Sequence, residues 1–210
     1  SGPKFNFLHC DFPYGIDAGK HNQGAAKKFG GYEDTADVYF NLLETLCEFT
    51  ETGLAPSAHM MFWLAPKYLG QTRTMLTAAG WKINDYPLIW HRSDNSGIIP
   101  DPKRTGRQVY EMALHCTLGD RFVAQSVANL CGCPQQKEVH TSSKPRQMLA
   151  HFFRMFVDGS TIMLDPTAGS GNAVNVALKM GAKSAIGLEK NEEYVGRALQ
   201  LLTETAGESY

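Results

Sequence analysis

The C-terminal run TIMLDPTAGSGNAVNVALKMGAKSAIGLEKNEEYVGRALQLL admits few folds. A short apolar stretch, Thr161 to Leu164, gives way to a glycine-rich turn, and apolar residues at helical spacing follow from Asn172 to Met180. The pattern then recurs as a strand over Ser184 to Leu188 and a helix over Asn191 to Leu202. Strands alternating with crossover helices pair in parallel, and parallel strands are buried on both faces. The expectation is therefore an α/β domain whose mostly parallel, twisted sheet lies between two helical layers.

The N-terminal part extends that pattern. Phe5 to Cys10 predicts a buried strand ending at the turn DFPYG, so Asp11 to Gly15 should sit at a strand's carboxyl edge. Residues Ile16 to Asp34 carry no hydrophobic periodicity and predict a long loop. From Thr35, the positions Val38, Leu42, Leu43, Leu46 and Phe49 have helical spacing, with Asp34 or Thr35 as cap. After a break at Gly53 to Pro56 come a strand over His59 to Leu64 and a helix from Pro66 to Gly80. Tyr86 to His91 and Val109 to Thr117 predict two further strands, and Pro145 to Val157 a helix. Leu118 to Ser143 shows no legible pattern. Trp63, Trp81 and Trp90 are assigned to the core.

At 210 residues the chain suits one α/β domain. No apolar run reaches the roughly 18 to 20 residues that span a bilayer, and the expected location is the cytoplasm. Five cysteines at irregular spacing do not make a disulfide framework. Cys131 and Cys133 are one residue apart, which is not zinc-knuckle spacing, so no metal is expected there. A net charge of −1 sets this chain apart from dedicated nucleic-acid-binding domains, although local basic patches suffice to contact phosphates.

Two turns carry chemistry. In LDPTAGSGN, residues Asp165 to Asn172 bring backbone close to a ligand and aim helix N-terminal amides at it. Glu189 ends the next strand 20 residues beyond Gly169, where a carboxylate accepts hydrogen bonds from ribose hydroxyls. Val174 stands where the dinucleotide fingerprint requires its third glycine, which leaves a nucleoside-containing cofactor rather than a dinucleotide.

LDPTAGSGN followed by IGLEKNEEYVGRAL resembles the S-adenosylmethionine-binding half of DNA amino-methyltransferases, and DFPYG is similar to their catalytic Asp-Pro-Pro-Tyr. SSKPRQMLAHFF resembles their Lys-Pro helix, and YEMALHCTLG the strand that ends their catalytic half. The order, with the catalytic motif first and the cofactor loop last, resembles the circularly permuted β class, which includes bacterial and phage adenine-N6 enzymes. The resemblance implies a three-layer Rossmann-like methyltransferase domain with one antiparallel hairpin strand. It implies a catalytic half over residues 1–122, a short target-recognition or linker region over 123–143, and a cofactor-binding half over 144–210.

By the same resemblance, Asp11, Phe12, Pro13 and Tyr14 are the catalytic tetrapeptide. The Asp11 carboxylate and the backbone carbonyl of Phe12 would accept the amine hydrogens, and Tyr14 would stack on the base. Asp11, Ser143, Lys144, Asp165, Pro166, Thr167, Ala168, Gly169, Gly171, Asn172 and Glu189 would hold S-adenosylmethionine. The implied partner is double-stranded DNA with the target base flipped out. Lys20, His21, Lys27 and Lys28 on the first loop, and Lys103, Arg104 and Arg107 on the link between strands, are the candidates for phosphate contacts.

Adenine N6 is the expected acceptor, with cytosine N4, RNA adenine and a non-catalytic nucleic-acid-binding subunit as alternatives. An additional N-terminal segment, a partner domain or a homodimer is expected to complete the unit. Two family positions differ: Phe12 stands for a proline and Thr167 for an aromatic residue. If position 12 contributes a backbone carbonyl, Phe can present it as Pro does.

Overall fold

The computed structural model describes residues 4–16, 34–97, 99, 101–136 and 143–204. The elements in chain order are β1 (Phe5–Cys10), α1 (Ala36–Gly53), β2 (Leu54–Leu64), a 3-10 turn (Pro66–Tyr68), α2 (Leu69–Ala78), β3 (Lys82–Ile83), β4 (Leu88–Arg92), β5 (Tyr110–Leu118) and β6 (Leu130–Cys133). They continue with α3 (Arg146–Phe153), β7 (Ile162–Asp165), α4 (Asn172–Lys179), β8 (Ser184–Gly187) and α5 (Glu192–Glu204).

The strands form one sheet in the order β6-β4-β5-β2-β1-β7-β8, with β3 added on β5. β1 pairs in parallel with β2 and β7, β7 with β8, and β4 with β6, whereas β5 is antiparallel to each of its neighbours β2, β3 and β4. One reversed strand inside an otherwise parallel sheet is the expected hairpin strand. Its consequence is that the carboxyl ends of β1, β4 and β7 and the start of β5 meet at one edge of the sheet.

Side-chain alternation along β1 and β2 divides the core between the faces. Phe7, Met61 and Trp63 pack with Met148, Phe152 and Phe153 of α3 and with Ala173 and Val176 of α4. Leu8, Cys10, Met60 and Phe62 pack with Tyr39, Leu43 and Leu46 of α1 and with Leu76 of α2. Each large apolar side chain among them stabilises the fold by roughly 1.5–3 kcal/mol, and coverage on both sides accounts for the apolar run Met60 to Leu64 in β2. All three tryptophans are buried, as expected.

Helix α1 starts as its sequence predicts, with the Thr35 hydroxyl accepting from Val38 N at 3.3 Å. Four details differ from expectation. No loop separates α1 from β2, because Leu54 turns directly into extended backbone; Pro56 falls where the β1–β2 register shifts, a place that tolerates a missing donor. The segment beginning at Pro66 spends its first turn as a 3-10 helix. Helix α3 ends at Phe153, yet Phe156 remains buried because tight turns carry it under the sheet. The two short strands β3 and β6, of two and four residues, are too short for periodicity to announce them, and their pairing with β5 and β4 defines them.

Candidate active site

Asp11 leaves β1 at the convergent edge. The alternation of the strand continues through the turn, so Phe12 points into the α1 and α2 face, where it is 3% exposed and meets the Phe62 ring edge-on at 5.3 Å. Tyr14 packs instead against the α3 and α4 face. Gly15 closes the turn at φ +66°, with its N–H donated to Asp34 Oδ1 at 2.6 Å and its carbonyl accepting from Tyr68 OH at 3.0 Å. The turn thus separates one anchoring side chain from two that face the site.

Asp11 and Tyr14 meet a buried cation. Lys144 Nζ donates to Asp11 Oδ1 at 2.6 Å and to Tyr14 OH at 3.1 Å, and lies 3.1 Å from Glu111 Oε2. Tyr14 OH donates to Glu111 Oε2 at 2.7 Å, and Arg92 pairs with the other Glu111 oxygen. Two carboxylates thus face two cations in a compact cluster. Burial raises the Asp11 carboxyl, and Glu111 adds to the rise against the opposing pull of Lys144. Burial also opposes ionisation of Glu111, but Lys144 and Arg92 overcome it and hold that carboxyl below its usual range. Lys144 stays charged: desolvation pulls it down, and its two carboxylate partners outweigh that and raise it. Burial, followed by Glu111 and Asp11, lifts the Tyr14 phenol well above normal.

The glycine-rich loop is fastened to this cluster. Thr167 Oγ1 donates to the Asp11 carbonyl at 3.1 Å, while Thr167 N donates to Asp165 Oδ1 at 3.0 Å. Thr167 therefore ties the two chemical turns together. Beneath them, the Trp63 indole N–H donates to His9 Nε2 at 3.2 Å, so Nε2 is an acceptor and the His9 proton sits on Nδ1, 2.8 Å from Asp165 Oδ2. This buried chain joins β2, β1 and β7 side by side.

Gly169 and Gly171 adopt φ +51° and +77°, which only glycine takes without strain. A Cβ at Gly169 would meet no heavy atom within 4 Å, so the loop has open space above it. The Glu189 carboxylate accepts from Gly169 N at 3.0 Å and Asn191 N at 2.8 Å, and each oxygen keeps a further lone pair for a hydroxyl. Ala168 N donates to the Leu188 carbonyl, and Pro166 lies between Asp165 and Thr167 in the same turn. Asn172 Nδ2 donates to the Lys144 carbonyl at 3.1 Å, and Ser143 Oγ is 3.2 Å from Ser170 Oγ. The Glu189 carboxylate with its free lone pairs, the small residues of the loop and the nearby Asp11 carboxylate together fit a nucleoside bearing a cationic tail.

The structure therefore gathers Asp11, Tyr14, Ser143, Lys144, Asp165, Thr167, Gly169, Asn172 and Glu189 at one edge. Lys103, Arg104 and Arg107 lie on the β4–β5 link that springs from the same edge. There Arg104 pairs with Asp101 at 2.7 Å and Arg107 donates to the Gly97 carbonyl at 3.1 Å, both exposed. Lys20, His21, Lys27 and Lys28 lie outside the described residues; Cys131 and Cys133 are buried with Trp90 in the core. Sequence reasoning missed Glu111, Arg92, His9 and Asp34. A visible signal existed for Glu111, the one carboxylate in β5, next to the apolar Met112 to Leu114.

Residues 120–200 match a family model described as DNA methylase. No curated protein sequence matches the chain. Among solved structures, the complex of M1.HpyAVI with SAM superposes with a TM-score of 0.73 at 19% identity, covering 95% of this chain and 89% of that one. A Thermus thermophilus protein provisionally described as a DNA modification methylase, complexed with S-adenosyl-L-methionine, gives 0.65 at 16% identity, covering 100% and 90%. The PvuII DNA methyltransferase, cytosine-N4-specific, gives 0.65 at 14%, covering 94% and 79%. The chain has the Rossmann-like fold of S-adenosylmethionine-dependent methyltransferases.

Proposed function

We propose that this protein transfers a methyl group from S-adenosylmethionine to an exocyclic amine of a DNA base, adenine N6 in the first instance and cytosine N4 as the alternative. The observation that carries the proposal is the 3.1 Å hydrogen bond from Thr167 to the backbone carbonyl of Asp11, which ties the glycine-rich loop to the Asp11 turn and supports reading the two as one site. The DNA methylase match over residues 120–200 supports the same substrate class.

Bound S-adenosylmethionine supplies an electrophilic sulfonium methyl. Glu189 accepts its ribose hydroxyls, and the Gly169 turn lets the backbone approach it. Asp11 and the Phe12 carbonyl accept the hydrogens of the acceptor amine, draw its lone pair out of conjugation, and stabilise the positive charge that grows on nitrogen. Alignment of amine and methyl on one rigid edge supplies much of the remaining rate gain. Tyr14, its hydroxyl held by Glu111, stacks on a flipped base, which contributes about 1–3 kcal/mol against an unstacking cost of a few kcal/mol.

Lys103, Arg104 and Arg107 contact phosphates, joined by Lys20, His21, Lys27 and Lys28. The permuted class supplies the arrangement: a catalytic half, a short recognition or linker region and a cofactor half in one cytoplasmic domain, completed by an N-terminal segment, a partner domain or a second copy. Incubation with labelled S-adenosylmethionine and unmethylated duplex DNA, followed by nucleoside analysis, tests the reading. N6-methyladenine, absent with Asp11→Ala, is expected. N4-methylcytosine would move the assignment to the alternative, methylation of RNA alone would replace the substrate, and binding of DNA without any methylation would leave a non-catalytic module.

A further inference from the structure

Lys144 Nζ holds three acceptors, Asp11 Oδ1, Glu111 Oε2 and Tyr14 OH, which match the three hydrogens of an ammonium. One of those acceptors is the carboxylate that an incoming amine requires. The Lys144 side chain is 6% exposed, so a charge that leaves Asp11 needs a protein partner close by rather than bulk water. A second carboxylate must already be in place. Glu111 meets that condition, and Arg92 at its other oxygen fixes the carboxylate with Oε2 turned toward Lys144 and Tyr14.

We propose that Glu111 is a positioning residue for methyl transfer, holding Lys144 and the Tyr14 hydroxyl so that Lys144 can release Asp11 when the acceptor amine arrives. The inference rests on the transfer reading above. Before the amine arrives Lys144 caps Asp11 and neutralises it; on substrate binding the ammonium shifts fully to Glu111, and the freed Asp11 oxygen takes an amine hydrogen. No proton moves in this exchange. The same Glu111 oxygen keeps the Tyr14 ring oriented while Lys144 moves. Lys144 also flanks the rings of Tyr14 and Trp63, at 5.3 and 5.0 Å from their centroids, so it remains over an electron-rich surface on either partner.

Glu111→Gln preserves the shape and removes the charge. The groups facing Asp11 are Lys144, Glu111, His9 and Tyr14, with Arg92 behind Glu111. Without the Glu111 charge, Lys144 closes on Asp11. The expected results are a kcat reduced about 10- to 100-fold, the span of a hydrogen bond to a charged group, with cofactor affinity nearly unchanged, and a downward-shifted Asp11 titration in carbon-13 carboxyl NMR. The double variant Glu111→Gln/Lys144→Met, which lacks the obstructing cation, should exceed the single variant in kcat at saturating cofactor.

Thermal melting of both variants separates these effects from unfolding. A Glu111→Gln kcat equal to wild type, or a double variant no faster than the single, overturns the inference. So does an unmoved Asp11 titration, whatever the activity. A titration that moves in a protein that methylates no base supports the hold of Glu111 on Lys144, and removes the transfer reading alone.

Discussion

Replacing Phe12 by proline separates the work of a side chain from that of a carbonyl. The Phe12 ring is 3% exposed and meets Phe62 at 85° with centroids 5.3 Å apart. Truncating such a ring to alanine costs about 3–5 kcal/mol. A proline ring returns two of the lost carbons at roughly 0.8 kcal/mol each, and stiffening the unfolded chain returns about 0.4–1 kcal/mol more. The net loss is on the order of 2 kcal/mol, which in a chain of this size lowers Tm by about 4–8 °C. On the proposed mechanism position 12 contributes only its backbone carbonyl, which proline retains, so kcat measured well below the variant's Tm should stay within about tenfold, or roughly 1.4 kcal/mol. Circular-dichroism melting and the labelled-methyl assay give the two numbers on one preparation. An unchanged Tm would refute the anchoring role of the ring. A folded variant whose rate falls more than a hundredfold would refute the carbonyl assignment.

Thr167→Val keeps volume and β-branching but loses the donor to the Asp11 carbonyl; stability should fall by about 1 kcal/mol, with a rate loss larger than that of Phe12→Pro, checked by melting and initial rates. Gly171→Ala forces a side chain into φ +77° and sets its Cβ 2.8 Å from Ala198 Cβ, so α5 must shift; a loss of about 1–3 kcal/mol with weakened cofactor affinity is expected from denaturant titration and calorimetry. The buried His59–His115 pair sets an acid limit. Desolvation, then His59, pushes His115 down to about 4, so the folded form stays neutral while the unfolded residue titrates near 6.5. Stability from His115 is complete above pH 6.5 and is lost as pH falls toward 4, on the order of 3 kcal/mol in all. Tm measured against pH should show this limb in wild type and a flatter one in His115→Phe.

The elements legible in advance are those whose signals lie within one turn or one strand. Thr35 announces α1 because its cap bond closes three residues away, and the βαβα order after Thr161 follows from periodicity that switches over a few residues. Asp11 and Glu189 could be singled out as candidates for the same reason, since each follows an apolar strand at a turn. β3 and β6 were not, because strands of two and four residues carry too few positions to show alternation and exist through pairing with β5 and β4.

The sequence by itself determined the layered architecture and the two candidate turns at the strand ends. What stands around Asp11 was a tertiary decision. Lys144 arrives from 133 residues away, Glu111 enters through the reversed strand β5, and Arg92 reaches Glu111 because β4 and β5 pair at that end. Ionisation of a buried carboxylate depends on the charges within a few ångströms, and strand register, not local composition, chooses those neighbours. The departure at Phe12 resolves in the same way: pleat geometry turns its ring into the α1 face, against Phe62, so the residue that stands for proline is held by packing across the sheet.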